Sequence, residues 1–313
     1  MKDFLTMSDF HPAQWRFLVN SFNQNKIFHG YLFEGPENVG KTKFALEFTL
    51  FLNCERRENQ KPCFQCQSCQ LCLKNNHPDI KIIEVAPEKK EILIDQITKA
   101  KESYFLSKNR SAFQVFIIKK AQLLNLYSQS AFLKILEEPL PGRIFIFIVD
   151  YPSKIFPTIK SRLQRLRFFP LTPEKMAKIF QKELKNPEFK KKIEFSFGLP
   201  GFILKWQEEE ENFKDLNNQL DQFLKSLRVD LAEKFKLAKN LAEKNEKEII
   251  DVLNFWLWYF HSQLIKKPVD FKKIIELKVM IDKIQEAKTL ISFTNCNQRL
   301  VLENMMLELE DRF

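Results

Sequence analysis

The 313-residue chain carries 50 Lys and Arg against 40 Asp and Glu, a formal net charge of +10, with 44% hydrophobic and 29% charged residues. That balance belongs to a globular chain long enough for two or three domains, and excludes a disordered or fibrous one. No apolar run approaches the ~20 residues needed to cross a bilayer, and the N-terminus lacks a basic-then-apolar leader, so the expected location is cytoplasmic, with no membrane partner. The net charge permits a nucleic-acid or acidic partner but does not demand one. Lys and Glu are interleaved through most of the chain, so much of this charge reads as solvated surface.

Residues 13–24 have helical periodicity, with Phe17, Leu18 and Phe22 expected to face inward. His29-Gly30 then turns the chain into the apolar run Tyr31-Leu32-Phe33, which reads as a buried strand. Gly35-Pro-Glu-Asn-Val-Gly40-Lys41-Thr42 follows, and Lys43 to about Asn53 reads as a helix. A G-x-x-x-x-G-K-T run between a strand and a helix is the context of a phosphate-binding loop. Gly35 and Gly40 allow the tight backbone, whose N–H groups face phosphate oxygens at a helix N-terminus. Lys41 would reach the outer phosphates, and the Thr42 hydroxyl could ligate magnesium.

Five of the six cysteines lie between positions 54 and 72, a density that points to metal rather than disulfides. Cys54, Cys63, Cys66 and Cys69 have the spacing C-x8-C-x2-C-x2-C. Tight C-x2-C turns aim both sulfurs at one ion, and four thiolates satisfy a tetrahedral structural zinc. Free thiols and an iron–sulfur cluster stay open at this point, as does Cys72 as a spare or alternative fourth ligand. His77, in His77-Pro78-Asp79, is a further candidate metal ligand, with a cap or surface role the stronger expectation.

Residues 80–85 read as a strand and residues 94–106 as an amphipathic helix. Residues 113–118 form a continuous apolar run, the signature of a strand buried on both faces. In a nucleotide-hydrolysing chain this strand would end in Asp-Glu, to hold magnesium and polarise water. Here it ends in Lys119-Lys120. Hydrolysis by this chain alone is therefore not expected, and nucleotide binding is left open. A helix over 130–138, a buried strand over 144–149 and a short strand over 166–169 complete an alternating pattern. Residues 1–170 thus predict a three-layer α/β domain with a mostly parallel sheet.

Composition shifts at Pro170-Leu-Thr-Pro173. Thr172 reads as an N-cap before a helix to about Leu184, and residues 171–207 as a small helical lid. Residues 208–313 contain no Gly and one Pro, Pro268, with Leu216, Leu220, Phe223, Leu224 and Leu227 at helical spacing. This predicts an all-α bundle. The apolar stretch Leu253–His261 reads as bundle core or subunit interface.

Together, Gly35–Thr42, the cysteine insertion, His77-Pro78-Asp79, Ala131-Phe-Leu-Lys-Ile-Leu-Glu-Glu-Pro139 and Ser161-Arg162 resemble the delta-prime family of the bacterial DNA polymerase III clamp loader. The resemblance implies a AAA+ module over 1–170 with a four-cysteine zinc insertion over 54–72, a lid over 171–207 and a C-terminal collar over 208–313. It implies a heteropentamer with gamma or tau motor subunits and a delta subunit. Contact with the sliding clamp and primed DNA would come through the assembled complex. Arg162 matches the family's arginine finger, a catalytic group acting in trans on a neighbour's nucleotide; Leu163 stands where the family usually has Cys. At the positions where a motor subunit has Asp-Glu, a Thr or Asn sensor and a lid Arg, this chain has Lys119-Lys120, Val149-Asp150 and Gly198-Leu-Pro-Gly201. These departures favour a non-hydrolysing subunit over the alternatives, an ATPase of the gamma/tau kind or a free-standing zinc-dependent nucleic-acid binder. Zinc is the expected cofactor; ATP at Gly35, Gly40, Lys41 and Thr42 is in doubt.

Overall fold

A computed structural model describes residues 6–86, 89–105, 111–227, 231–266 and 271–309. The chain packs as two compact units, Met1–Phe180 with Gly198–Gly201, and Gln181–Phe197 with Phe202–Phe313. Residues expected in the lid are thus divided between both.

The first unit is built on five parallel strands, β1 (Gly30–Glu34), β2 (Ile80–Ile83), β3 (Gln114–Ile118), β4 (Arg143–Val149) and β5 (Gln164–Arg167), in the order β2-β3-β4-β1-β5. Every residue of β1 and β3 is buried, as is all of β4 except Arg143, which is why these strands read as unbroken apolar runs. Their register pairs Tyr31 with Ile146 and Phe116 with Phe145. The edge strand β2 is only half buried, consistent with its interrupted apolar pattern. The helices are α1 (Met7–Phe10), α2 (Pro12–Asn23), α3 (Lys41–Asn53), α4 (Gln67–Leu73), α5 (Ile94–Phe105), α6 (Leu126–Glu137), α7 (Pro157–Lys160) and α8 (Pro173–Ile179). Residue 106, the expected end of α5, lies outside the described residues. Much of the phenylalanine content is core: Phe33, Phe44, Phe48, Phe51, Phe116, Phe132 and Phe147 are all fully buried, many in edge-to-face pairs.

Four expectations are corrected. Phe17 does not face the core; it is 37% exposed and stacks on Phe28. The last strand lies two residues earlier than expected, over Gln164–Arg167. Phe168 leaves it to pack against His11, Phe33 and Phe44 at 5.0–5.2 Å, and Phe169 is exposed. The helix capped by the Thr172 hydroxyl ends at Ile179, because Phe180 buries its ring against Phe10. His77 is buried rather than on the surface.

The second unit holds α9 (Pro187–Phe195), most of α10 (Pro200–Glu208), α11 (Glu210–Ser226), α12 (Leu231–Ala242), α13 (Glu246–Lys266), α14 (Phe271–Phe293) and α15 (Gln298–Glu308). Helix α13 packs on α14 and α11, and α15 on α12 and α14. The apolar stretch of α13 supplies bundle core. Trp256 is fully buried and stacks on Phe223 at 4.0 Å, with Phe255 and Phe260 buried nearby. Among the described residues no helix is long and apolar enough to cross a membrane.

Candidate functional site

Gly35–Thr42 joins β1 to α3, as the sequence predicts. Gly35 and Gly40 have φ of 153° and 100°, and each is held against other groups. A Cβ at Gly35 would lie 2.2 Å from the Phe168 carbonyl, and one at Gly40 would lie 2.7 Å from the Met7 sulfur. Only glycine fits both the close approach and the left-handed backbone of Gly40.

The loop is engaged from several sides. His11 Nε2 bonds to the Val39 carbonyl at 2.8 Å, and the Gly201 N–H donates to the Asn38 carbonyl at 2.8 Å. Ahead of His11, the buried Glu47 carboxylate of α3 accepts from the Ser8 hydroxyl at 2.7 Å and its N–H at 3.1 Å. That anchors α1 beside the loop. Burial raises the Glu47 pKa against these hydrogen bonds. Burial likewise lowers that of His11, against the Val39 bond; Lys175 and Lys41 lower it further.

Lys41 is 4% exposed, and its ammonium donates to the carbonyls of Gly35 at 2.5 Å and Pro36 at 2.6 Å, and to Asp150 Oδ1 at 2.8 Å. Asp150 follows β4. Its other oxygen accepts from Gln122 Nε2 at 2.8 Å, and its N–H donates to Gln122 Oε1 at 3.2 Å. Desolvation lowers the Lys41 pKa; Asp150, then Glu37, oppose it, and Lys120 adds to the fall. At the end of β3, Lys119 pairs with Glu84 and Lys120 with Glu37 of the loop, both at 2.9 Å. Protein charges therefore satisfy one another between the loop and the ends of β3 and β4. Thr42, half buried, opens the first turn of α3. The sequence reading missed Asp150, Gln122 and Glu37 as partners. The signal available was the Asp directly after β4, one strand from the loop.

The cysteine insertion brings Cys54, Cys63, Cys66 and Cys69 together, their sulfurs all within 4.8 Å of one another. The Cys63 N–H donates to Cys54 Sγ at 3.3 Å, Cys66 N–H to Cys63 Sγ at 3.3 Å, and Cys69 N–H to Cys66 Sγ at 3.5 Å. At Cys54 burial outweighs the bond from the Cys63 N–H and raises the thiol pKa. The Cys63 thiol is drawn down to about 7: burial opposes, but the N–H groups of Gln65 and Cys66 outweigh it. Four convergent sulfurs, two of them on buried cysteines, fit a structural tetrahedral ion, and among the described residues no further His, Cys, Asp or Glu joins the group. Cys72 lies outside this set; burial alone pushes its thiol up to about 12. His77 is not a ligand. Its Nδ1 accepts from the Asp79 N–H at 3.2 Å, and its Nε2 meets the hydroxyls of Ser68 at 3.1 Å and Ser111 at 3.4 Å. It joins α4, inside the insertion, to the segment before β3.

Arg162 lies apart from these groups, after α7. Its Nη1 donates to the Thr158 carbonyl at 2.8 Å and its Nη2 pairs with Glu137 Oε1 at 2.8 Å. The adjoining Leu163 is buried, and a Cβ on Gly30 would lie 2.4 Å from its Cδ2.

The model of the family described as DNA polymerase III, delta subunit matches residues 10–172. The chain is 30% identical to DNA polymerase III subunit delta' of Bacillus subtilis over 168 residues, 54% of this chain and 50% of that protein. It is also 30% identical to subunit tau of the same organism over 267 residues, 83% of this chain and 46% of that one. It therefore spans about half the length of the curated relatives it matches. A gamma subunit-related protein of Thermotoga maritima shares the fold, with a TM-score of 0.58 over 96% of this chain and 99% of that one, at 16% identity.

Proposed function

The chain belongs to the family described as DNA polymerase III, delta subunit, and from that premise we propose that it is a clamp-loader subunit of the delta-prime kind, which does not hydrolyse ATP itself. The ion pair between Lys41 and Asp150 carries this reading. In a hydrolysing site the loop lysine contacts outer phosphates, and a carboxylate at the end of a neighbouring strand holds magnesium. Here Lys41 is saturated by a carboxylate and two carbonyls. Strand β3 is followed instead by Lys119-Lys120, each paired to a glutamate.

The catalytic contribution then lies in Arg162. Its guanidinium would enter the nucleotide site of a gamma or tau neighbour and stabilise charge on the transferred phosphoryl, an effect of roughly 10³–10⁵ in rate where a finger acts in GTPases. The partners in this reading are the motor subunits and a delta subunit in a heteropentamer held by residues 208–313, with the clamp and primed DNA met by the assembly. Residues 1–170 form the AAA+ module and 171–207 the lid. The four clustered cysteines hold zinc as a structural pin for the insertion.

The test is the DNA- and clamp-stimulated ATPase of the assembled loader, with wild-type chain and with Arg162→Ala. The expected result is a fall of at least about a hundredfold with assembly intact. An unchanged rate would remove the finger and leave a structural spacer.

A second reading is a motor-type subunit, favoured by the longer stretch of this chain that aligns with tau and by the intact Gly35–Thr42 loop. Magnesium-dependent turnover by the isolated chain would establish it; our reading predicts none.

A further inference from the structure

We propose that Glu137 is the resting partner of Arg162, holding the guanidinium along its own surface and yielding it to the phosphoryl group of a neighbour's nucleotide. This rests on the reading of Arg162 as a finger acting in trans. Glu137 ends α6, and its Oε1 lies 2.8 Å from Arg162 Nη2. The Thr158 carbonyl, one turn earlier in α7, holds Nη1 at 2.8 Å. Both edges of the guanidinium fork are therefore engaged within the chain, and its charge is neutralised before any partner arrives.

The pair is built to be broken. The Arg162 and Glu137 side chains are 34% and 50% exposed, so water and salt screen their attraction. Phosphoryl oxygens carry more negative charge than one carboxylate and match the same fork geometry, so they outcompete Glu137.

The backbone beneath does not depend on the pair. The Ser161 N–H donates to the Pro157 carbonyl at 2.9 Å and the Arg162 N–H to the Ile159 carbonyl at 3.0 Å. Leu163 is buried against Gly30, with Leu136 on the same side of that glycine. Only the Arg162 side chain has to swing when the pair opens. Glu137 touches no nucleotide in this scheme and acts through Arg162; it is a positioning residue.

The experiment uses the loader assembled from motor subunits, a delta-type subunit and this chain, as wild type, Glu137→Gln, Glu137→Asp, Arg162→Ala and the Glu137→Gln/Arg162→Ala double variant. At low salt Glu137→Gln should raise stimulated ATP turnover about two- to fivefold, the factor expected of one exposed ion pair. The KM for ATP should not change. The gain should shrink as salt screens the wild-type pair. Glu137→Asp, one methylene shorter, should fall between. The double variant should be as slow as Arg162→Ala alone, because the glutamate has nothing left to hold. Turnover by Glu137→Gln at or below wild type, with Arg162→Ala slow, would overturn the role of Glu137. A fast Arg162→Ala loader would overturn the finger itself, and this inference with it.

Discussion

Lys120, just after β3, pairs with Glu37 of the loop between β1 and α3 at 2.9 Å, while Lys41 of that loop pairs with Asp150 after β4. The two contacts have the same topology, a loop charge tied to a charge at a strand end, but they differ in burial. Lys120 and Glu37 are about half exposed, at 53% and 49%, whereas Lys41 and Asp150 are at 4% and 13%. An exposed pair contributes about 0–1 kcal/mol; a buried one leaves an uncompensated charge when one partner is removed.

Glu37→Gln should therefore change stability by less than about 1 kcal/mol. Asp150→Asn should lower it by about 1–3 kcal/mol, since Lys41 keeps two carbonyl acceptors but loses its counter-charge. Urea denaturation of the three proteins checks the ordering.

The same Asp150→Asn variant should bind nucleotide more tightly than the wild type. Removing the carboxylate that contacts the Lys41 ammonium frees that group and removes repulsion on an incoming polyphosphate. At short range this is worth at least a factor of about ten in affinity. Fluorescent ATP-analogue titration of the isolated chain reads the difference. Equal affinities would mean that the loop is closed by its packing against Met7, His11 and Gly201, and not by charge.

Native mass spectrometry should find one zinc ion per chain. Cys66→Ser should lose it, and Cys72→Ser should retain it, because Cys72 lies outside the four-sulfur cluster. Lowering the pH should release the ion as the thiolates protonate.

Histidine titration sets a pH dependence. Each of the four histidines has its pKa lowered by burial. A histidine with a folded pKa below its unfolded value of about 6.5 stabilises the fold above that value. The contribution is lost as pH falls from there through the folded pKa. Melting temperature should drop as pH falls from 7 to 5. His11→Asn should flatten the slope, because this imidazole is buried against the loop and near Lys41. Glu47 has the opposite sign, since its raised pKa favours the protonated folded chain; its effect begins above about 4.5 and works against folding as pH rises through its folded value.

In the bundle, the Trp256 indole is stacked on Phe223, and its N–H has no protein hydrogen-bond partner among the described residues. Trp256→Phe should cost about 1–2 kcal/mol of transfer and packing energy, against about 3–5 kcal/mol for Trp256→Ala. Thermal denaturation separates the two.

The β1-loop-α3 unit was legible in the sequence because an apolar run, two glycines and Lys-Thr have one common structural solution. The cysteine cluster was legible because C-x2-C spacing constrains sulfur positions locally. What was not legible depends on contacts distant in sequence. Asp150 is 109 residues from Lys41; an Asp after a buried strand is visible in the sequence, but the pairing of β4 with β1 that brings it to Lys41 is not. Glu137 reads as helix-end acid until α7 places Arg162 beside it. His77 reads as a cap or a surface residue because His-Pro-Asp is turn chemistry; its Nδ1 does accept the Asp79 N–H, but the ring is buried, with the Ser68 and Ser111 hydroxyls at Nε2. Phe168 fitted a strand by apolarity alone, but its ring is drawn to His11, Phe33 and Phe44, so the strand ends at Arg167. The short helix α1, of four residues, has no periodicity to read and is held by Glu47 from another element.

The edge of the sheet has a consequence for solubility. Strand β5 is an outer strand, and an outer strand offers unpaired backbone groups to any second sheet. Here it bears Arg165 and Arg167, 45% and 64% exposed, both drawn to the Glu34 carboxylate at 2.7–2.9 Å. One buried acid thus pins two cations along the rim, and each would be stripped of water if another strand docked there. The rim is guarded against edge-to-edge aggregation, and replacing both arginines with Val would turn it into a template for it.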